Sequence, residues 1–261
     1  MLDKIEKSAT FLQQKTNYKP EIGIILGTGL GGLVNEIVIE HSISYENIPH
    51  FPISTVEGHS GRLIFGQLAG KKIIAMQGRF HFYEGYSIQK VTFPVRVMKS
   101  LGITTLIVSN ASGGVNPDYQ VGDLMILNDH ISLIPNPLIG SNISALGPRF
   151  PDMSEPYCKK LIKKAEEIAK EKKLNIKKGV YVALTGPTLE TPAEYKYMRI
   201  TIYVHNEDLE NLYSALNSEE SHLNSVRVLE VHDTGYTQVS LTYDEYVKCQ
   251  DLGIFEELLS L

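Results

Sequence analysis

The sequence predicts an α/β fold, on three observations. Short apolar, β-branched runs such as Glu21 to Leu26 and Thr104 to Val108 read as strands, the second of them buried. Both runs end in small, flexible turns, Gly27-Thr28-Gly29-Leu30-Gly31-Gly32 and Ser109-Asn110-Ala111-Ser112-Gly113-Gly114. Between the strand runs lie stretches with helical apolar spacing, Leu2 to Thr16, Val91 to Leu101 and Glu155 to Leu174. At 261 residues the chain is long enough for one large α/β domain or two smaller ones.

Composition narrows the function classes. A hydrophobic fraction of 43% with 21% charged residues is that of a soluble globular protein. The formal net charge of -5 argues against a nucleic-acid partner, which selects a basic face. Lysines cluster from Lys159 to Lys178, but they alternate there with Glu166, Glu167 and Glu171, the pattern of a solvated helix face. Cys158 and Cys249 lack metal-ligand spacing, which points to a reducing compartment and no structural metal. No apolar run reaches the roughly 20 residues of a membrane span, and the N-terminus has no signal-peptide core, so the expected location is the cytoplasm.

Leu2 to Thr16 presents Ile5, Ala9, Phe11 and Leu12 as the apolar part of an amphipathic helix, and Pro20 interrupts before the first strand. That strand opens into the first glycine turn. Placed before a helix, such a turn offers free N–H groups and a positive dipole end to an anion. The letters also satisfy Gly-x-Gly-x-x-Gly, which keeps a dinucleotide site and a nucleotide-dependent oxidoreductase under consideration. The acidic residue at the expected distance, Glu46, sits in loop-like sequence, and Thr28 adds a hydroxyl that a dinucleotide turn does not need. A phosphate site fits better.

Ile37 to Ile43, Arg62 to Leu68 and Lys72 to Gln77 read as strands. Between the first two, Glu57-Gly58-His59 places one histidine in a loop. After the third comes Gly78-Arg79-Phe80-His81-Phe82-Tyr83-Glu84-Gly85. If this segment is extended, Arg79, His81 and Tyr83 share one face and Phe80 and Phe82 turn to the core. Arg supplies a planar donor fork for phosphate oxygens, His a further hydrogen bond, and Tyr a flat face with a hydroxyl. The plainer reading is an amphipathic edge strand.

Met125-Ile126 marks another strand, and Asn128 to Glu155 reads as a long irregular stretch presenting Phe150 within Gly147-Pro148-Arg149-Phe150-Pro151. Gly179 to Leu184 is a strand that leads to Thr185-Gly186-Pro187-Thr188-Leu189-Glu190-Thr191. Glu190 thus lies past the carboxyl end of a strand, where open α/β sheets bind ligands. Thr191-Pro192-Ala193-Glu194 has the letters of a helix start with a capping box.

In their order and number, these motifs from Glu21 to Arg199 resemble the trimeric class of purine nucleoside phosphorylases, with Arg149-Phe150-Pro151-Asp152-Met153-Ser154 among them. The resemblance implies a single domain with a central mixed, partly barrel-like β-sheet flanked by helices. It implies that Thr28, Arg79, His81 and the amide of Ala111 hold phosphate, with His59 covering it. Tyr83 is then a sugar contact, and Phe150 reaches a neighbouring subunit's site in a homotrimer. Glu190 is implied to accept hydrogen bonds from the purine, and His81, Glu190 and Asn110 to be the catalytic residues. Leu189 takes the base-stacking position, where the family usually has Phe. The implied reaction is phosphorolysis of 6-oxopurine ribo- and deoxyribonucleosides in purine salvage. Inorganic phosphate is co-substrate, and no metal or organic cofactor is needed.

After Ile200 the sequence departs from that family. Residues 201–261 contain none of the 12 prolines and only Gly235 and Gly253 of the 21 glycines. Asn206 to Leu216 and Thr242 to Leu261 read as helical and Val226 to Val231 as a strand. Either this portion is a diverged part of the same domain, with His232 or Asp233 near the base, or it is a replacement. The Asn with which the family bonds the leaving purine has no counterpart. Two alternatives therefore stand beside the main reading: 5′-methylthioadenosine phosphorylase, and a catalytically impaired nucleoside- or phosphate-binding homologue.

Overall fold

A computed structural model describes residues 1–27, 30–53, 61–116, 119–191 and 193–194, together with the strand backbones of 200–205, 227–231 and 236–241. The described chain is mixed α/β and forms two compact, interleaved units: 1–113, 132–156 and 183–187 in the first, 114–131, 157–182 and 188–261 in the second.

The first unit is built on a five-stranded mixed sheet. Its strands are β1 (Ile22–Ile25), β2 (Val38–Ser44), β3 (Arg62–Leu68), β4 (Lys71–Gln77) and β5 (Thr105–Val108), in the order β2-β3-β4-β1-β5. β2, β3 and β4 form an antiparallel meander, and β1 lies parallel between β4 and β5. The period-2 alternation of β3 and β4 sends side chains into two cores. Leu63, Phe65, Ile74 and Met76 meet α1 (Leu2–Thr16) and α3 (Phe93–Ser100), while Ile64, Ile73 and Ala75 join Ile24, Leu26, Val34 and Ile37 on the other face. Helix α1 forms where its letters place it. Ile5, Leu12 and Thr16 bury one stripe, and Asn17 ends it in the left-handed region, its N–H donating to the Gln13 carbonyl at 2.7 Å.

Several elements differ from the expectation. Among the described residues Thr104 to Val108 is not a buried strand: β5 lies at the edge of the sheet, and Ile107 and Val108 are 49% and 55% exposed. An apolar run alone does not tell an edge from a centre, because pairing is decided by distant chain. Gly27 to Gly32 opens into a six-residue 3-10 turn, Gly31–Glu36, rather than an α-helix, since two glycines and a β-branched valine are poor helix formers. Glu46, by contrast, lies outside the strands as expected, in a short 3-10 turn, Tyr45–Asn47. The Val91 to Leu101 helix is split into α2 (Ile88–Val91) and α3, with Pro94 in the first turn of the second piece.

In the second unit, β6 (Leu124–Ser132) pairs with β7 (Ile176–Ala183). The strand therefore runs further than expected, and the irregular stretch begins at Leu133 rather than Asn128. Helix α4 (Lys159–Glu171) is shorter than Glu155 to Leu174 and keeps a charged outer face. The strands β8 (Ile200–His205), β9 (Arg227–Val231) and β10 (Tyr236–Leu241) form an antiparallel sheet in the order β8-β10-β9. Only β9 was expected from the sequence. The helical readings of Asn206 to Leu216 and Thr242 to Leu261, and the placement of His232 and Asp233, lie outside the described residues. Among those described, no helix is long and apolar enough to cross a membrane.

Candidate active site

Parallel pairing of β1 with β4 and β5 brings three carboxyl-terminal strand ends side by side, and each releases one of the sequence's polar motifs. From β1 comes Gly27, whose carbonyl accepts the Leu30 N–H at 3.0 Å. From β4 comes Gly78-Arg79, and from β5 Ser109-Asn110-Ala111. The Arg79 guanidinium donates through Nη2 to the Ser109 carbonyl. A β-carbon at Gly27 would stand 2.6 Å from the Ser109 carbonyl oxygen, 2.7 Å from the Asn110 Cα and 2.9 Å from Arg79 Nη2. Only glycine fits at this junction. The structure thus joins Gly27, Arg79 and the Ser109–Asn110 strand end into one contiguous cluster.

The Arg79 to Tyr83 segment is not extended throughout. Phe80 is buried as expected, but Phe82–Glu84 turns in a 3-10 helix, ended by Gly85 at φ 86°. Phe82 is consequently only half-buried. The turn sets His81 and Tyr83 on one side by another route: their rings stack, with centroids 4.7 Å apart and planes 16° from parallel. Gly186 packs against the far end of this pair, since a β-carbon there would lie 3.3 Å from Tyr83 Cδ1.

Two contributors escaped the sequence reading. Glu84, with its side chain only 3% exposed, accepts the His81 backbone N–H at 2.6 Å and lies 3.1 Å from His81 Nδ1. The spacing of a capping box was there to be read, but His is not among the usual N-cap residues. Ser109 was quoted within its motif and given no task, yet its hydroxyl and carbonyl bond both neighbouring motifs.

The remaining assignments are placed as follows. Asn110 Nδ2 donates to the Ala111 carbonyl at 3.3 Å, and Ala111 is exposed. Phe150 is 86% exposed. Its loop is held by Arg149, which donates to the carbonyls of Leu138 and Gly140 and stacks 5.8 Å from the Phe150 ring centroid. Two residues on, Asp152 accepts the Ser154 N–H and hydroxyl, which hold its carboxyl below the ordinary range. Leu189 and Glu190 belong to the second unit, Leu189 87% exposed and Glu190 half-buried. The capping box just beyond them forms, with Thr191 N–H to Glu194 Oε2 at 2.6 Å and Glu194 N–H to Thr191 Oγ1 at 3.3 Å. Thr28 and His59 lie outside the described residues.

The family model of the phosphorylase superfamily matches residues 21–210. The chain belongs to the phosphorylase superfamily. Its relatives there are purine nucleoside phosphorylases. Purine nucleoside phosphorylase 1 of Bacillus subtilis is 58% identical over 200 residues, covering 76% of this chain and 74% of the relative. A Schistosoma purine nucleoside phosphorylase solved with hypoxanthine aligns at TM-score 0.71 and 46% identity, over 75% of this chain and 71% of that one. Isoform 2 of the Schistosoma mansoni enzyme, solved with cytosine and ribose-1-phosphate, aligns at TM-score 0.71 and 42% identity, with the same two coverages.

Proposed function

We propose that this phosphorylase-superfamily chain catalyses the phosphorolysis of purine nucleosides, preferring 6-oxopurine ribo- and deoxyribonucleosides, to free base and pentose 1-phosphate. The observation that carries the reading is the joining of Gly27, Arg79 and Ser109 at three adjacent strand ends, in a chain 58% identical to a purine nucleoside phosphorylase.

Inorganic phosphate is the nucleophile and the sole co-substrate in this reading, with no metal or organic cofactor. Arg79, His81, Thr28, His59 and the amide of Ala111 bind it; Tyr83 and a neighbouring subunit's Phe150 contact the sugar; Leu189 and Glu190 contact the base. A phosphate oxygen attacks the anomeric carbon as the glycosidic bond breaks, and the bonding electrons leave with the purine. Positive charge grows on the ribose, so an anion fixed beneath it lowers the barrier, more strongly in a dry site. Holding nucleoside and phosphate together supplies much of the remaining acceleration. His81, Asn110 and Glu190 are the residues assigned to catalysis. The chain is a single domain in this reading, in a cytoplasmic homotrimer. The exposure of Phe150 on a braced loop supports the oligomer, because a bare aromatic ring gains most by burial in a partner.

The test is release of hypoxanthine from inosine with and without phosphate. Phosphate-dependent release supports the proposal, and equal rates without phosphate defeat it. Methylthioadenosine, run in parallel, tests the related 5′-methylthioadenosine activity. A second reading, a binding homologue with impaired turnover, has its own support. The family match ends at residue 210, and the last 61 residues carry 12 Asp and Glu against 2 Lys and Arg. Phosphate binding without base release selects that reading.

A further inference from the structure

We infer that Ser109 is a positioning residue of the phosphate site, acting through Gly27 and Arg79; this rests on the phosphorolysis reading above. Ser109 is the first residue beyond β5, where β1 and β5 stop pairing as regular strands. Its N–H donates to the Ile25 carbonyl at 3.0 Å, which prolongs the ladder by one step. Its hydroxyl then donates to the same Ile25 carbonyl at 3.2 Å and accepts the Gly27 N–H at 3.3 Å. The side chain thus takes over from the backbone ladder at the point where the two strands part. Without it, the Gly27 amide at this part-buried junction has lost its acceptor.

The carbonyl of the same residue accepts the Arg79 guanidinium. One residue therefore joins Gly27 beyond β1, the start of the Asn110-Ala111 segment beyond β5, and the arginine. The fit leaves no slack, since a β-carbon at Gly27 would meet both the Ser109 carbonyl and Arg79 Nη2 at under 3 Å. A hydroxyl on a short stem is required at position 109: alanine deletes both hydrogen bonds, and threonine keeps them.

The experiment measures initial rates of inosine phosphorolysis by the full chain, with phosphate and inosine varied separately, beside thermal unfolding. Ser109→Ala is expected to raise the KM for phosphate about three- to tenfold, on the worth of one neutral hydrogen bond, with the KM for inosine nearly unchanged. Ser109→Thr is expected to restore the phosphate KM. A merely structural role lowers the melting temperature and the active fraction without this split. An unchanged phosphate KM in Ser109→Ala, a parallel rise in both KM values, or failure of Ser109→Thr to restore it overturns the inference. Should Ser109→Ala not fold, Ser109→Cys takes its place, a similar shape with weak hydrogen bonding. If the wild-type chain releases no base, the phosphorolysis reading fails separately, and calorimetric titration with inorganic phosphate decides Ser109. Weaker binding by Ser109→Ala supports its role; equal binding, or none by wild type, overturns it.

Discussion

Glu84 grips His81 at two points: Oε1 accepts the His81 backbone N–H at 2.6 Å and lies 3.1 Å from Nδ1 of the ring. An ionised Glu84 only accepts, and then selects the tautomer with the proton on Nδ1, leaving the opposite edge of the ring turned away from it. Glu84→Ala is expected to weaken phosphate use about tenfold, on the scale of a hydrogen bond to a charged group. Glu84→Gln keeps an acceptor for the backbone and should lose less. Phosphate-dependent initial rates for the two variants check this ranking.

Arg79 is expected to resist conservative replacement. Lysine has no planar fork, so it cannot serve both the Ser109 carbonyl and an anion in the same geometry. Arg79→Lys should lower kcat/KM for phosphate about 10- to 100-fold. Gly27→Ala, whose β-carbon meets the same groups, should produce a comparable loss. Rates close to wild type in either variant would remove the cluster from the phosphate site.

Glu190 is assigned to the base rather than to the fold. Glu190→Ala should cut inosine turnover about 10- to 100-fold and barely move the thermal midpoint, as expected of a half-exposed side chain. Melting and turnover measured on one preparation separate the two effects.

Tyr45 links the core to alkaline stability. Its ring is buried, its hydroxyl donates to the Gly78 carbonyl at 2.7 Å, and burial pushes the phenol well above its usual range. The folded chain therefore holds this proton more tightly than the unfolded chain. The associated stability is complete below about pH 10 and is lost as pH rises above it. Tyr45→Phe should cost about 1–3 kcal/mol near neutrality by stranding a buried acceptor, and should flatten the decline above pH 10. Denaturant titrations from pH 7 to 11 measure both quantities.

In the proposed function Phe150 ties the site to assembly. A homotrimer predicts a sedimentation mass of three chains. Phe150→Ala should weaken that assembly and raise the KM for nucleoside. A monomeric wild type with full activity would exclude a partner's Phe150 from catalysis.

Most of the first unit's elements were legible in the letters. The α1 boundaries and the span Arg62–Leu68 follow from apolar spacing alone, since burial of one stripe or one pleat face imposes its own period. Of the polar motifs, the structure brings Gly27, Arg79 and Ser109 together, and their letters marked them as turn and donor residues at strand ends. What failed was conformation that depends on neighbours far along the chain. The Phe82–Glu84 turn and the edge position of β5 carry no distinct local signal, whereas β8 and β10 are rich in β-branched and aromatic residues and were open to a strand reading that was not made.

By itself, then, the sequence determined most strands and helices of the first unit, which segments after them carry polar groups, and which family the chain resembles. The tertiary structure alone decided that Ser109 meets Gly27 across 82 residues and Arg79 across 30, and that Glu84 is buried against His81. The physical reason is that periodicity and turn chemistry act over a few residues, whereas these contacts are set by the parallel register of β1 with β4 and β5.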